Sequence, residues 1–290
     1  MTARGPLPVI YFNGGYCGLQ DAKVSVLDRG FLYGDGIYEI IPVFDHKPLE
    51  PQRHVTRLQN GLAAIRIDDP LDTAGWHELI TGIVAKNDVA DVSVYIQITR
   101  GAPDYRDHAF PANTAPTVLA MCSPLPQLDP GMISNGVKAV TRPDSRWARC
   151  DIKSVSLLAN VLLRQEAVDA GAAETILYRD DFITEGSASS VFAVFGDAIV
   201  TPEDGAEILP GTTRDLILEL ASNAGLKARF GTVTRQQLRD ADEVWLCSSL
   251  RELLPVTTLD DRAVGDGRPG TVFAQTYKLY QYHKQRQSHD

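Results

Sequence analysis

The stretch DVSVYIQIT, Asp91 to Thr99, alternates without a break, with Val92, Val94, Ile96 and Ile98 on one side and Ser93, Tyr95 and Gln97 on the other. Successive strand side chains point to opposite faces, so this pattern requires a sheet with one buried face. That sheet needs partner strands and a cover. IYEIIPVF (Ile37–Phe44) and PTVLAMC (Pro116–Cys122) read as strands, and LPVIYF is another that breaks at the hairpin-type turn Asn13-Gly14-Gly15. The cover comes from RHVTRLQNGLAAIRI, with Val55, Leu58, Leu62 and Ile65 on one helical face, and from a second helix marked by Trp76, Leu79, Ile80, Ile83 and Val84.

SPLPQLDPG, Ser123 to Gly131, then places three prolines and a glycine in nine residues, which marks a linker. Beyond it GVKAVTR, ETILYR, SVFAVF, AIV and EVWLCSS read as strands. A helix follows Lys153 and stops at Gly171, TTRDLILELASNAG is a helix with a threonine N-cap, and TVFAQTYKLYQYHKQ closes the chain. Two α/β domains are expected, residues 1–121 and 132–290, joined by a linker at 122–131.

A net charge of −9 without a basic run argues against nucleic acid as a partner. The four cysteines are scattered without a Cys-x-x-Cys pair, as in a cytoplasmic protein with neither disulfides nor zinc. No stretch approaches the ~18 apolar residues of a membrane span, and the N-terminal apolar segment is too short for a signal peptide. Phosphate-loop, zinc-protease, nucleophile-elbow and dinucleotide motifs are all missing.

In RCDIKSVSLLANVLLRQEA one lysine, Lys153, stands at the mouth of an apolar run that includes Val155, Leu157, Leu158, Val161 and Leu162. A buried ammonium is costly unless it is paired or its pKa falls, so Lys153 either reaches water or has a chemical task. Gly211, Thr212 and Thr213 lead into a helix and form either an anion site or a plain cap. Ser248 and Ser249 end a buried strand, where they bind something polar or start a loop. Glu185 and Gly186 lie in a turn before a serine-rich stretch, so a carboxylate is aimed at a site or the segment is simply a hairpin. Arg106 and His108 are two apart and share a face in extended chain, suiting a carboxylate if they are not merely solvated. Tyr38 opens a strand beyond Gly34-Asp35-Gly36 and lends a hydroxyl or packs. Together, an amine, an acid and two hydroxyl-rich anion sites match the needs of pyridoxal phosphate: an amine for the Schiff base, an acid for the ring nitrogen and a phosphate cup.

With DRGFLYGDGIYE, HVTRL, TRGAPDYRDHAFP, RCDIKS, ITEGSASSVF, LPGTTRD and EVWLCSS in this order, the chain resembles the fold-type IV pyridoxal-phosphate enzymes over roughly residues 10 to 280, and among them the D-amino acid transaminases. The resemblance implies a mixed α/β fold with a smaller N-terminal domain and a larger C-terminal domain with a barrel-like core. It implies that Lys153 forms the Schiff base, that Glu185 faces the pyridine nitrogen, and that Arg57, Thr212, Thr213, Ser248 and Ser249 surround the phosphate. Tyr38, Arg106 and His108 would hold the substrate α-carboxylate, the Arg-x-His pair reaching in from the neighbouring subunit of a homodimer. Amino acids and 2-oxo acids would be the substrates, D-alanine and D-glutamate among the donors. Relatives with L-branched-chain or (R)-amine specificity are the alternative, and the branched-chain enzymes lack the Arg-x-His loop. Two departures stand out. Ala188 replaces a frequent serine, and Leu250-Arg251 follows Ser249, with Arg251 either reading a distal carboxylate or, as expected here, facing solvent.

Overall fold

The computed structural model describes residues 5–289; residues 1–4 and 290 of the expected domains lie outside the described residues. The chain divides into two compact units, one of residues 1–126, 152–157 and 287–290, the other of 127–151 and 158–286.

The first unit contains β1 (Val9–Phe12), β2 (Gly15–Gly18), α1 (Arg29–Tyr33), β3 (Gly36–Phe44), β4 (Lys47–Pro48), α2 (Pro51–Ala64), α3 (Thr73–Asn87), β5 (Val92–Thr99) and β6 (Thr117–Pro124). Its strands form one antiparallel sheet in the order β2-β1-β6-β5-β3-β4. The β1–β2 hairpin turns on Asn13 (φ 45°) and Gly14 (φ 95°), both left-handed, which matches the twist of the strands it joins. The alternating face of β5 meets Ile37, Ile41 and Val43 of β3, and α2 and α3 seal them with Leu58, Leu62, Trp76, Ile80 and Ile83. Each such side chain contributes about 1.5–3 kcal/mol through burial. One member of the inward row of β3 breaks the pattern: Glu39, between Ile37 and Ile41, is completely buried.

Two expectations are corrected here. Cys122–Pro124, read as the start of a linker, pair with β5 as the end of β6. The stretch Ile152–Leu157, read as part of the C-terminal domain, belongs to the first unit. β4 pairs only with Val43 and Phe44, so the start of β3 has unpaired backbone groups on that side. Tyr38 N–H donates to the Lys153 carbonyl (3.0 Å) and Val155 N–H to the Gly36 carbonyl (3.0 Å), while Ile37 and Ser154 bridge. Gly34, left-handed at φ 66°, lets Ser156 close in: its Oγ donates to the Gly34 carbonyl at 2.9 Å, and a Cβ there would collide with that oxygen.

The second unit contains α4 (Pro130–Ser134), β7 (Val137–Pro143), α5 (Leu158–Asp169), β8 (Glu174–Arg179), β9 (Phe182–Gly186), β10 (Ser190–Phe195), β11 (Ala198–Thr201), α6 (Thr212–Asn223), β12 (Lys227–Phe230), α7 (Arg235–Arg239), β13 (Glu243–Ser248), β14 (Glu252–Leu259), β15 (Arg262–Ala263) and most of α8 (Thr271–His289). The sheet runs β12-β11-β10-β13-β14-β7-β8-β9, with β15 on β14. Pairs β11–β12, β14–β7 and β7–β8 are parallel and the rest antiparallel. Edge strand β9 also comes against β10, so the sheet curls on itself around a core that includes Ile176, Val191, Leu246 and Leu254. The apolar run after Lys153 is not swallowed whole. On α5, Leu163 and Ala167 turn inward while Leu158, Val161 and Leu162 remain exposed.

Candidate active site

In the first unit, β3 supplies Tyr38 and Glu39 on opposite faces, and α2 supplies His54 and Arg57, three apart and so on one helical face. Half-buried Lys153 lies along the start of β3 with its Nζ 4.2 Å from the centre of the Tyr38 ring. Tyr38 stacks on Tyr95 at 5.7 Å, and burial pushes the Tyr95 phenol up to about 12. Behind them Glu39 receives Arg57 Nε at 2.6 Å and Nη2 at 2.9 Å, with His54 Nδ1 2.8 Å away. Burial pushes the Glu39 carboxyl up, but the Arg57 charge and the bonds from His54 and Arg57 outweigh it and hold the group well below the usual carboxylate range. His54 is pushed down, first by burial and then by the nearby charges of Arg57 and Lys153, against the pull of Glu39. The arginine expected at a phosphate is thus oriented by a buried carboxylate.

Arg106 and His108 stand on the exposed loop between β5 and β6. They gather on Tyr33, with the Arg106 guanidinium 5.0 Å and the His108 ring 5.2 Å from its ring centre. Within one chain, then, the ring contacts of Tyr38 go to Lys153 and Tyr95, whereas the Arg-x-His pair packs on Tyr33.

In the second unit Glu185 is on β9 itself, not in the turn expected for it; the turn is Ser187–Ser189. It is buried, takes a bond from Arg146 Nη1, and accepts from Leu209 N–H at 3.2 Å. Burial pushes this carboxyl up, and Arg146 only partly opposes the shift. Arg146 is shared: burial pushes it down, but Asp144, bound through Nε (2.9 Å) and Nη2 (2.8 Å), and then Glu185 hold it above its ordinary value. The ionised form of Glu185 is therefore under-compensated by its own surroundings, and a further N–H donor would stabilise it.

Leu209 leads through Pro210 and Gly211 into α6. The N-cap of α6 is Gly211, not the expected threonine, and it offers no side-chain cap. Thr212 and Thr213, both buried, fill the first turn, where the leading N–H groups lack intrahelical partners and the dipole is positive. A Cβ on Gly211 would lie 2.6 Å from Ser190 Oγ, and Ser190 pairs with Cys247, one residue before Ser248. Gly211 thus comes close to β10 beside the end of β13, where Ser248 stands with Ser249 after it, and the hydroxyls of Thr212 and Thr213 at the helix start could hold a phosphate. Arg251, expected to face solvent, is only partly exposed. Its Nη1 lies 3.1 Å from Glu174 Oε2, and Glu174 also holds Ser187 and, at 3.1 Å, Ser189.

Sequence reasoning missed Glu39, His54, Asp144, Arg146 and Glu174. Glu39 carried a signal, a carboxylate at an inward position of the alternation Ile37, Glu39, Ile41, Val43, and His54 shared the i,i+3 face of Arg57. Among the described residues no cluster of His, Cys, Asp and Glu could hold a metal, and no helix is long and apolar enough to cross a membrane.

The family model described as amino-transferase class IV matches residues 36–259. A D-alanine aminotransferase of Bacillus licheniformis is 37% identical over 264 residues, 91% of this chain and 92% of its own. One from Staphylococcus epidermidis is 36% identical over 280 residues, 97% of this chain and 98% of its own. Among solved structures, a T.th. branched-chain amino acid aminotransferase with pyridoxamine 5'-phosphate superposes with a TM-score of 0.88 at 26% identity, covering 97% of this chain and 94% of the other.

Proposed function

Since the chain belongs to the amino-transferase class IV family, we propose that it exchanges amino groups between D-amino acids and 2-oxo acids, with Lys153 as the catalytic amine. It is a pyridoxal phosphate-dependent aminotransferase with a fold-type IV architecture. The observation that carries the D-amino acid reading is 37% identity to a D-alanine aminotransferase across nine-tenths of the chain. The L-branched-chain alternative draws on solved structures at 26%.

The residues fit the cofactor. Buried Glu185, under-compensated by Arg146, suits the protonated ring nitrogen, and the uncapped start of α6 with Thr212, Thr213, Ser248 and Ser249 suits the phosphate, to which Arg57 would add its charge. When bound, the cofactor supplies an aldehyde that takes up the amino group and a ring that draws electron density from the substrate α-carbon. Lys153 Nζ would be the amine that holds this aldehyde and, once free, the base that takes the proton from the substrate α-carbon. Glu39 and His54 orient Arg57, the helix start and the hydroxyls would hold the phosphate, and Glu185 would face the ring nitrogen and favour its protonated form. Tyr38, Arg106 and His108 hold the α-carboxylate and thereby decide which face of the α-carbon meets Lys153.

Exposed Leu158, Val161 and Leu162 on α5 support a homodimer in which the Arg106–His108 loop serves the partner's site. Four cysteines without a disulfide fit a cytoplasmic location. The test is a half-reaction spectrum of the loaded protein. D-alanine should discharge the yellow cofactor band and L-alanine and L-leucine should not; discharge by the L-amino acids alone overturns the assignment.

A further inference from the structure

The Arg106–His108 loop is exposed, yet it is fastened from beneath at three points. Arg29, 4% exposed, donates Nη1 to the Asp107 and Ala109 carbonyls and Nη2 to that of His108 (3.1 Å). Its Nε is held by Asp35 Oδ2 at 2.7 Å. Asp35 in turn takes Arg100 Nε at 2.8 Å and Nη2 at 3.0 Å, and the Arg100 guanidinium lies 3.6 Å from the centre of the Phe110 ring, with Arg66 also over that ring at 4.7 Å. Tyr33 supplies the third fastening. Its ring has Arg29 at 4.8 Å and Arg106 at 5.0 Å, with His108 at 5.2 Å. The Tyr33 hydroxyl is buried and finds no hydrogen-bond partner among the described residues, so its ring, not its oxygen, holds it in place.

A guanidinium this deeply buried is costly unless its donors are used, and here three consecutive backbone carbonyls and one carboxylate use them. Those carbonyls belong to Asp107, His108 and Ala109, flanked by Arg106 and Phe110. The chain therefore commits a buried arginine, with its donors engaged, to the shape of an exposed loop.

We propose that Arg29 and Tyr33 are positioning residues for substrate recognition: Arg29, braced by Asp35 and Arg100, fixes the backbone of residues 107–109, and the Tyr33 ring sets the side chains of Arg106 and His108. The inference rests on the reading that this pair binds the substrate carboxylate. Neither residue touches the reacting atoms, so their loss weakens binding of every carboxylate substrate and leaves the chemical step intact. Lysine at position 29 keeps the charge but lacks the planar fork that spans three carbonyls.

The experiment is steady-state kinetics of the cofactor-loaded enzyme with D-alanine and a 2-oxo acid, beside its melting temperature. Arg106→Ala tests the underlying reading; an unchanged KM there removes the carboxylate role itself. With that established, Arg29→Lys and Tyr33→Leu should each raise KM roughly tenfold or more, with kcat within about twofold of the parent, because small misplacements of a binding group act on affinity first. Tyr33→Phe, which keeps the ring, should restore KM. If Arg106→Ala raises KM but Arg29→Lys and Tyr33→Leu do not, or if Tyr33→Phe is as damaged as Tyr33→Leu, the positioning role is wrong. Where Arg29→Lys does not fold, the Tyr33 pair decides alone.

Discussion

Two buried glutamates sit beside arginines in the two units, and they are shifted in opposite directions. Glu39 in the first unit has three contacts from two side chains: Nε and Nη2 of Arg57, and Nδ1 of His54. Its carboxyl is held well below its ordinary value although burial alone would raise it. Glu185 in the second unit has one arginine that it shares with Asp144, plus a single backbone N–H, and burial wins. A carboxylate has about four acceptor positions, so the number filled by the chain itself decides the outcome. Glu39 is completed by the fold and serves it. Glu185 is left short of a donor, which is the condition a site requires if a ligand is to supply one.

The largest expected effect tests the completed member. Glu39→Gln leaves Arg57 buried beside a neutral partner, and breaking such a pair costs about 3–5 kcal/mol. Urea denaturation should show the loss directly. A cost near zero would mean that Glu39 is no better compensated than Glu185, and the contrast would collapse. Glu185→Gln should behave the other way. Activity should fall on the order of a hundred- to a thousandfold, the usual cost of losing one preorganised electrostatic contact. Stability should change by no more than about 1.5 kcal/mol, since Arg146 keeps both its bonds to Asp144. Denaturation and kcat/KM on the same preparation check both halves of the statement.

How far this contrast was legible beforehand follows from the range of each interaction. The alternation of β5 and the Asn13-Gly14 turn are local, and both were readable because side-chain period and turn dihedrals depend on neighbours in sequence. Lys153, Glu185 and the hydroxyl-bearing residues were picked out by residue type and order alone. Their supports were not. Glu39 and Arg57 are eighteen positions apart, and Arg146 and Glu185 thirty-nine. The pairing of Lys153 with the start of β3 spans more than a hundred residues and depends on which edge of that strand β4 leaves open. The N-cap of α6 was misjudged for a different reason: threonine is a favoured cap, but close approach of Ser190 selects glycine at 211 and moves both threonines into the first turn.

A smaller effect sharpens the comparison through pH. His54 has its folded value below the ordinary one near 6.5, so on acidification the unfolded chain takes up a proton that the folded one declines. Its contribution is complete above that ordinary value and is lost as pH falls. Glu39 acts with the same sign further down, below the ordinary glutamate value near 4.5. Glu185, shifted upward, has the opposite sign: its contribution is present in acid and lost as pH rises through its folded value. Denaturation midpoints across about pH 5 to pH 8 should therefore fall toward acid in the parent. They should flatten near the histidine range in His54→Gln and fall more steeply at the acid end in Glu185→Gln. Parallel curves for all three proteins would remove the difference in sign.

The smallest effect concerns a third buried glutamate, Glu174, whose partners include Ser187, Ser189 and Arg251. Arg251 is the residue that the sequence offers for reading a distal substrate carboxylate, as needed to distinguish D-glutamate from D-alanine by charge. Its guanidinium is instead engaged inside the chain, at 3.1 Å from Glu174 and 3.3 Å from the Ala173 carbonyl. A donor already paired with a buried carboxylate gains little from a second anion and would leave Glu174 uncompensated if it moved. Arg251→Gln should thus cost only about 1 kcal/mol, as the arginine side chain is partly exposed at 26% and the pair is screened accordingly. The ratio of KM for 2-oxoglutarate to KM for pyruvate should stay within about twofold of the parent's, because uniform binding to the distal carboxylate is not being removed. A selective rise for 2-oxoglutarate would show that Arg251 leaves Glu174 for the substrate, and Glu174 would then join Glu185 as a carboxylate the fold leaves incomplete.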